Sequence, residues 1–163
     1  FRAVCQEVAR DFPDVELDYA YADAITVHLL KKPDFYDVIV AENMFGDIVS
    51  DLGAGTVGGL GIAASAELGE RHGLFQGAHG SAPDIAGQDK ANPTSLVLSA
   101  AMLLEWLGIR HKRDSFFEAA RLIEAAVDAL IVDPNTRTPD LGGKLGTKAF
   151  TQALVDRVGK GKA

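Results

Sequence analysis

Cysteine is almost missing from this chain, with Cys5 its only example. A single thiol forms no internal disulfide and builds no cysteine-based metal site. It favours a reducing compartment, so the cytoplasm is the expected location. Long apolar runs are missing too, so no bilayer-spanning segment and no membrane partner are expected. No basic n-region leads into an apolar h-region, and the chain opens on Phe1-Arg2-Ala3-Val4 without an initiating Met. That opening already has a mid-helix pattern, which fits a fragment of a longer protein. The net charge is -7 and no basic stripe offsets it. Such a balance argues against nucleic acid as a partner. The G-x-G-x-x-G fingerprint does not occur, so a standard Rossmann site is excluded.

What remains is ordinary globular material, 163 residues of which 47% are hydrophobic, enough for one sizeable core. Residues 2–11 read as the end of a helix. Val15 to Tyr21 alternates apolar and polar residues and predicts a strand. A helix-like run from Asp23 to Leu30 stops before Pro33. Tyr36 to Val40 predicts a short β-branched strand, and a helix follows from Asn43 to about Val57. Pro93 suits the first turn of an apolar, buried helix to Leu107, with Gly108 as its C-cap. Asp114 or Ser115 caps the next helix, whose solvated stripe is Glu118, Arg121, Glu124 and Asp128. A last amphipathic helix covers about Thr147 to Val158. Strands alternating with helices indicate the α/β class. Eleven of the seventeen glycines lie between Gly46 and Gly87, so unusual backbone geometry is expected there. Gly58-Gly59-Leu60-Gly61 reads equally as a domain hinge or as a tight turn.

Two segments carry candidate chemistry. The first is Glu42-Asn43-Met44-Phe45-Gly46-Asp47-Ile48-Val49-Ser50-Asp51. Asp47 and Asp51 stand four residues apart at the start of a helix, which stacks them on one face. A hard divalent cation fits between such carboxylates. Helix capping and dipole pairing explain the same residues without a ligand. Asp23, in Tyr21-Ala22-Asp23-Ala24, reads from position alone as a helix N-cap. His28 reads as a core or surface residue rather than a ligand. The second segment is His79-Gly80-Ser81-Ala82-Pro83-Asp84-Ile85-Ala86-Gly87, followed by Asn92-Pro93. Its small residues let backbone come close to a polar ligand, although a Gly/Pro surface turn has the same composition.

Together the two segments resemble the isocitrate/3-isopropylmalate dehydrogenase family, the β-decarboxylating dehydrogenases. The likeness runs from Phe12-Pro13-Asp14-Val15 to Asp140-Leu141-Gly142-Gly143 and beyond, and covers the C-terminal half of a family member. It implies a partial isocitrate/isopropylmalate dehydrogenase-like α/β fold. Residues 1–57 would belong to the smaller substrate and dimerisation domain, and 58–163 to the larger NAD-binding domain. It implies that Asp47 and Asp51 bind Mg²⁺ or Mn²⁺. Asp23, the candidate catalytic residue, would join that metal from the second subunit of a homodimer or higher homo-oligomer. His79, Gly80, Ser81, Ala82, Asp84, Ile85 and Asn92 would hold the adenosine half of NAD. Asp84 would accept hydrogen bonds from the ribose hydroxyls and repel a 2′-phosphate. NADP-preferring relatives carry Lys-Tyr in place of Asp84 and Ile85. Asp140 would approach the adenosine as well.

The implied reaction is metal-dependent oxidative decarboxylation of a small 2-hydroxy acid such as isocitrate, homoisocitrate or 3-isopropylmalate. Gly58-Gly59-Leu60-Gly61 and Arg137-Thr138-Pro139-Asp140 look closer to the isocitrate and homoisocitrate branches. Gln76 and Ala63-Ala64-Ser65-Ala66 depart from the family pattern. In the family the other half supplies the substrate-binding arginines, the Tyr acid and the Lys of the proton relay. By that expectation the 163 residues alone are inactive. A non-catalytic regulatory subunit and a truncated binding remnant are the alternatives.

Overall fold

A computed structural model describes residues 1–161. The chain divides into two compact units, Phe1–Thr56 and Val57–Ala163.

The first unit holds three helices: α1 (Arg2–Val8), α2 (Ala22–Lys31) and α3 (Asn43–Val57). Short 3₁₀ turns follow α1 at Ala9–Asp11 and α2 at Pro33–Phe35. Pro33 removes a backbone donor and Lys32 leaves helical geometry just before it, so α2 ends there. The two predicted strands, Val15 to Tyr21 and Tyr36 to Val40, are not strands. Alternation favours extended backbone, but a strand also needs a ladder partner, and neither segment pairs with another described segment. Val15, Tyr21, Val38 and Val40 accordingly stay exposed. Ile25 of α2 and Val49 and Ala54 of α3 are the buried apolar residues of this unit.

The second unit begins at the glycine run. Gly58 and Gly59 have φ of +126° and +109°, where a side chain would be strained. An antiparallel hairpin follows, β1 (Ala64–Leu68) with β2 (Gly73–Gly77), in the register Ala64↔Gly77 to Leu68↔Gly73. Glycines at both ends of β2 and the Ala-rich β1 obscure it in the sequence. Helix α4 (Thr94–His111) lies against this hairpin through small polar residues. Ser95 Oγ donates to the Ala63 carbonyl. Ser99 Oγ donates to the Gln76 carbonyl at 2.5 Å and accepts from Ser65 N–H at 3.4 Å. One helical turn thus adds hydroxyl contacts to backbone groups at the hairpin end, where the Ala63 carbonyl also accepts from Ala78 N–H at 3.1 Å. At the far end Arg110 stacks on Trp106 at 4.6 Å and donates to the Glu70 carbonyl at 2.7 Å.

α4 departs from its expected form in two ways. It is not buried all round: Leu96 and Ile109 are exposed, while Thr94, Ser95, Ser99, Ala101 and Gly108 are buried. Gly108 is not the C-cap either. A Cβ there would lie 2.8 Å from the Phe117 ring, so Gly108 lets α5 (Asp114–Val132) approach closely. The turn is made by Lys112, left-handed at φ 51°, which ends α4 four residues later than expected. Asp114 lies in the first turn of α5 rather than capping it by a side-chain bond; Arg113 is the N-cap position. Glu124 is half-buried rather than solvated.

Helix α6 (Thr147–Lys160) completes the core, where Phe150 and Leu154 pack with Ala126, Val127 and Leu130 of α5. Its N-terminus is capped by a residue far away in sequence. Asp89 Oδ1 accepts from Lys148 N–H at 2.9 Å, and the Asp89 carbonyl accepts from Thr147 N–H at 3.1 Å. Thr147 Oγ1 donates to the Ala91 carbonyl at 2.6 Å. Gly146 has no room for a Cβ, which would meet Asp89 Oδ2 at 2.5 Å. Asp89 itself sits at φ 56°, a region Asp and Asn tolerate better than most residues.

Asp89→Ala should therefore lower stability by about 1–2 kcal/mol, the usual cost of an N-cap, with strain at positive φ added. Asp89→Asn keeps the acceptor and the backbone tolerance and should cost less. Equal losses for both in urea titrations would refute the cap. A second expectation concerns Glu124, whose pKa is raised above 4.5 by burial first, then by the Glu105 and Asp128 carboxylates, against the pull of Arg121. The folded state thus binds this proton more tightly than the unfolded one. Its contribution is favourable below the unfolded pKa and is lost as pH rises through the folded one. Glu124→Gln should then stabilise the protein at neutral pH, with the gain disappearing as pH falls through the carboxylate range. A gain independent of pH would contradict this assignment.

Candidate functional site

The acidic segment and the glycine-rich loop lie in different units, and each is built locally. Helix α3 carries Asp47 and Asp51, both exposed, one helical turn apart. Glu42 accepts the first backbone bond, from Gly46 N–H at 2.7 Å, so neither aspartate serves as the N-cap. Asn43 Nδ2 donates to Asp47 Oδ2 at 3.0 Å and fixes that carboxylate over the first turn. Ser50 Oγ donates to the Asp47 carbonyl at 3.1 Å, which occupies the hydroxyl away from the carboxylates.

Asp23 lies in the first turn of α2 and not at its N-cap, which is Tyr21. Its Oδ1 accepts from the adjacent Ala24 N–H at 2.9 Å. Asp23 lines a groove of the first unit with Ala22, Thr26, Phe45, Ile48 and Val49. Among the described residues of one chain, no three His, Cys, Asp or Glu side chains gather as a metal cluster. Asp23 is therefore not grouped with Asp47 and Asp51. The donor chemistry of the α3 pair is all hard oxygen, which suits Mg²⁺ or Mn²⁺ rather than zinc or copper. His28 stays outside this set: its Nδ1 is 2.7 Å from the Tyr36 hydroxyl.

The loop of the second unit leaves β2 at Gly77 and returns to α4 at Asn92. His79 folds back over the strand end, where a Cβ on Gly77 would meet His79 Nε2 at 2.6 Å. His79 Nδ1 is 3.0 Å from the Gly80 carbonyl. A carbonyl only accepts, so Nδ1 carries a proton and, in the neutral ring, Nε2 is the acceptor. Gly80 and Ser81 are exposed and lead into Ala82, which is left-handed at φ 43° and ψ 60°. A residue other than glycine in that region is strained. The turn it sets up, Pro83–Ile85, presents Asp84 to solvent and half-buries Ile85. Gln88 Nε2 donates to the Asp84 carbonyl at 2.7 Å and closes the turn from behind.

Asn92 and Asp140 meet at the other end of the loop. Asn92 Nδ2 donates to Asp140 Oδ2 at 3.0 Å, and Asn92 Oδ1 accepts from Thr94 N–H at 3.0 Å. Gly61 faces this pair, since a Cβ there would lie 2.8 Å from Asp140 Oδ2 and 3.1 Å from Asn92 Cβ. Arg137 of the same segment is used structurally: its guanidinium donates to the Ile131 and Val132 carbonyls at the end of α5. That is the usual place for a cation on a helix. Sequence reading missed Asp89 altogether, because its partners Thr147 and Lys148 are remote and nothing local marks it. Asp140 was legible only through the Arg-Thr-Pro-Asp motif.

Comparison with known proteins agrees over nearly all of the chain. The isocitrate/isopropylmalate dehydrogenase family model matches residues 1–158. The isocitrate/homoisocitrate dehydrogenase of Thermus thermophilus is 48% identical over 156 residues, which is 96% of this chain and 44% of that protein. The 3-isopropylmalate dehydrogenase of Archaeoglobus fulgidus is 49% identical over 155 residues, 95% of this chain and 45% of that one. Among solved structures, isocitrate dehydrogenase from Methylococcus capsulatus superimposes with a TM-score of 0.88 at 42% identity, covering 96% of this chain and 44% of its own. The chain thus spans less than half the length of the relatives it matches. With its two motifs, its backbone and its sequence all in agreement, the chain belongs to the isocitrate/isopropylmalate dehydrogenase family.

Proposed function

We propose that this chain is the C-terminal part of an NAD-dependent, metal-dependent dehydrogenase that oxidatively decarboxylates a small 2-hydroxy acid. Isocitrate, homoisocitrate and 3-isopropylmalate are the substrates to try, since relatives carry those names. The observation that supports this most is the Asp47–Asp51 pair on one exposed face of α3, with Asn43 holding the first carboxylate. A cap or dipole role would not require an amide committed to orienting Asp47. Asp47 and Asp51 would hold Mg²⁺ or Mn²⁺, and Asp23 of a second subunit would complete the ligand set. When bound, such a cation polarises the substrate hydroxyl and its neighbouring carboxylate. The chain's own residues place the negative charge that holds it.

In the loop, Asp84 is exposed on a rigid turn. Its two oxygens accept hydrogen bonds from both ribose hydroxyls and disfavour a 2′-phosphate. His79 and the Gly80–Ala82 backbone would line the nucleotide, with Ile85 giving an apolar contact. The complete protein should reduce NAD in preference to NADP by at least about tenfold in kcat/KM, roughly 1.4 kcal/mol. Asp47→Asn should lower turnover by orders of magnitude at limiting Mn²⁺ while leaving the unfolding midpoint nearly unchanged. Assays of NADH formation with the three acids test both points. Equal use of NADP, or full activity of Asp47→Asn at limiting metal, would overturn the corresponding assignment.

A further inference from the structure

Gln88, Asp89 and Lys90 are neighbours in sequence that serve two different parts of the second unit. Gln88 and Lys90 hold the turn that carries Asp84. Gln88 Nε2 donates to the Asp84 carbonyl at 2.7 Å, and Gln88 Oε1 accepts from Lys90 Nζ at 2.8 Å. The Gln88 N–H donates to the Ile85 carbonyl at 3.1 Å. A flipped Gln88 amide would set its N–H₂ against the Lys90 ammonium and its oxygen against the Asp84 carbonyl, so these partners fix one orientation. Asp89, between them, bonds to α6. Its Oδ1 takes the Lys148 N–H and its carbonyl takes the Thr147 N–H. The Ala91 carbonyl takes the Thr147 hydroxyl.

The three residues thus form a strut between a helix end and the turn. The bonds on the turn side are exposed, so each competes with water and with side-chain entropy. The backbone they start from is bent unusually: Gly87 and Asp89 are both left-handed, at φ 74° and 56°. For Asp89 that conformation is strained and persists only where its surroundings impose it. α6 imposes it. Its first N–H groups lack partners within the helix and find them on Asp89. One turn further on, fully buried Phe150 fixes the helix to the core.

We infer that Asp89 is a positioning residue for the cofactor: by seating the strut on α6 it sets the turn that presents Asp84, and so couples dinucleotide affinity to the first turn of the last helix. The inference rests on the loop being an NAD site, as proposed above. Such coupling is reciprocal. If the closed Asp89–α6 contact favours the dinucleotide, the bound dinucleotide favours the closed contact by the same factor.

The test uses the complete protein with NAD as the probe, in binding calorimetry, steady-state kinetics and amide hydrogen exchange. Saturating NAD should slow exchange of the Lys148 N–H at least about fivefold. Asp89→Ala, assayed well below its unfolding midpoint, should weaken NAD binding at least about fivefold. It should raise KM for NAD and leave kcat nearly unchanged, the pattern of lost uniform binding. Asp89→Asn keeps the acceptor for Lys148 N–H and should bind NAD much as the wild type does. A merely structural cap would lower the midpoint of Asp89→Ala and leave its NAD affinity intact, which would overturn the inference. Lys148 exchange indifferent to NAD would overturn it as well, and so would Asp89→Asn binding as weakly as Asp89→Ala. Should Asp89→Ala fail to fold, the wild-type exchange measurement decides. Absence of NAD binding by the wild type would instead remove the proposed function, and this inference with it.

Discussion

At the end of the glycine-rich loop, the Asp89 carboxylate and carbonyl take the first free N–H groups of α6. Those donors have no partner inside their own helix, so something outside must supply one. The partner here lies some sixty residues earlier and belongs to the loop that carries His79, Asp84 and Asn92. α6 in turn places Phe150 and Leu154 in the core beside Val127 and Leu130. One capping contact therefore joins the most buried part of the second unit to its most exposed candidate site. The Asn92–Asp140 bond and the Thr147–Ala91 bond run alongside it. The loop's shape is thus set from below by a helix end, and its left-handed residues Ala82 and Asp89 are held in strained positions by that support.

Helices with clear edges were legible in the sequence. Asn43 to Val57, the start of the Pro93 helix and the last helix from Thr147 stand where periodicity and capping put them. Pairing was not. Val15 to Tyr21 and Tyr36 to Val40 have strand patterns, but a ladder requires a second segment and their own residues cannot show whether one exists. The hairpin failed in the opposite way: β1 and β2 pair well although their Gly and Ala content is poor strand material. Gly108 misled because it looks like a helix stop. Its real use is contact with Phe117, a tertiary reason invisible in the local string.

The site divides along the same line. Both motifs could be found in the sequence because each is contiguous and each reflects local geometry: one helix face, one tight loop. The parts that orient them were harder to see. Asn43 is a neighbour of Asp47 on the helix and could be read from spacing. Asp89 and Asp140 act across dozens of residues, and only coordinates reveal that they meet α6 and Asn92. The polar docking of α4 was hidden likewise, since Ser95 and Ser99 look like interruptions in an apolar helix until the hairpin carbonyls they satisfy are seen.

The long reach of Asp89 also sets an order of events during synthesis. A ribosome releases residues 79–92 well before Thr147 and Lys148 emerge, and until then the loop lacks the helix end that fixes its shape. Closing so long a segment costs conformational entropy, which the packing of Phe150 and Leu154 helps to offset. The glycine-rich loop thereby takes its shape only once α6 is present. A chain cut before Thr147 would carry the whole glycine-rich loop and yet lack the two N–H groups that hold Asp89.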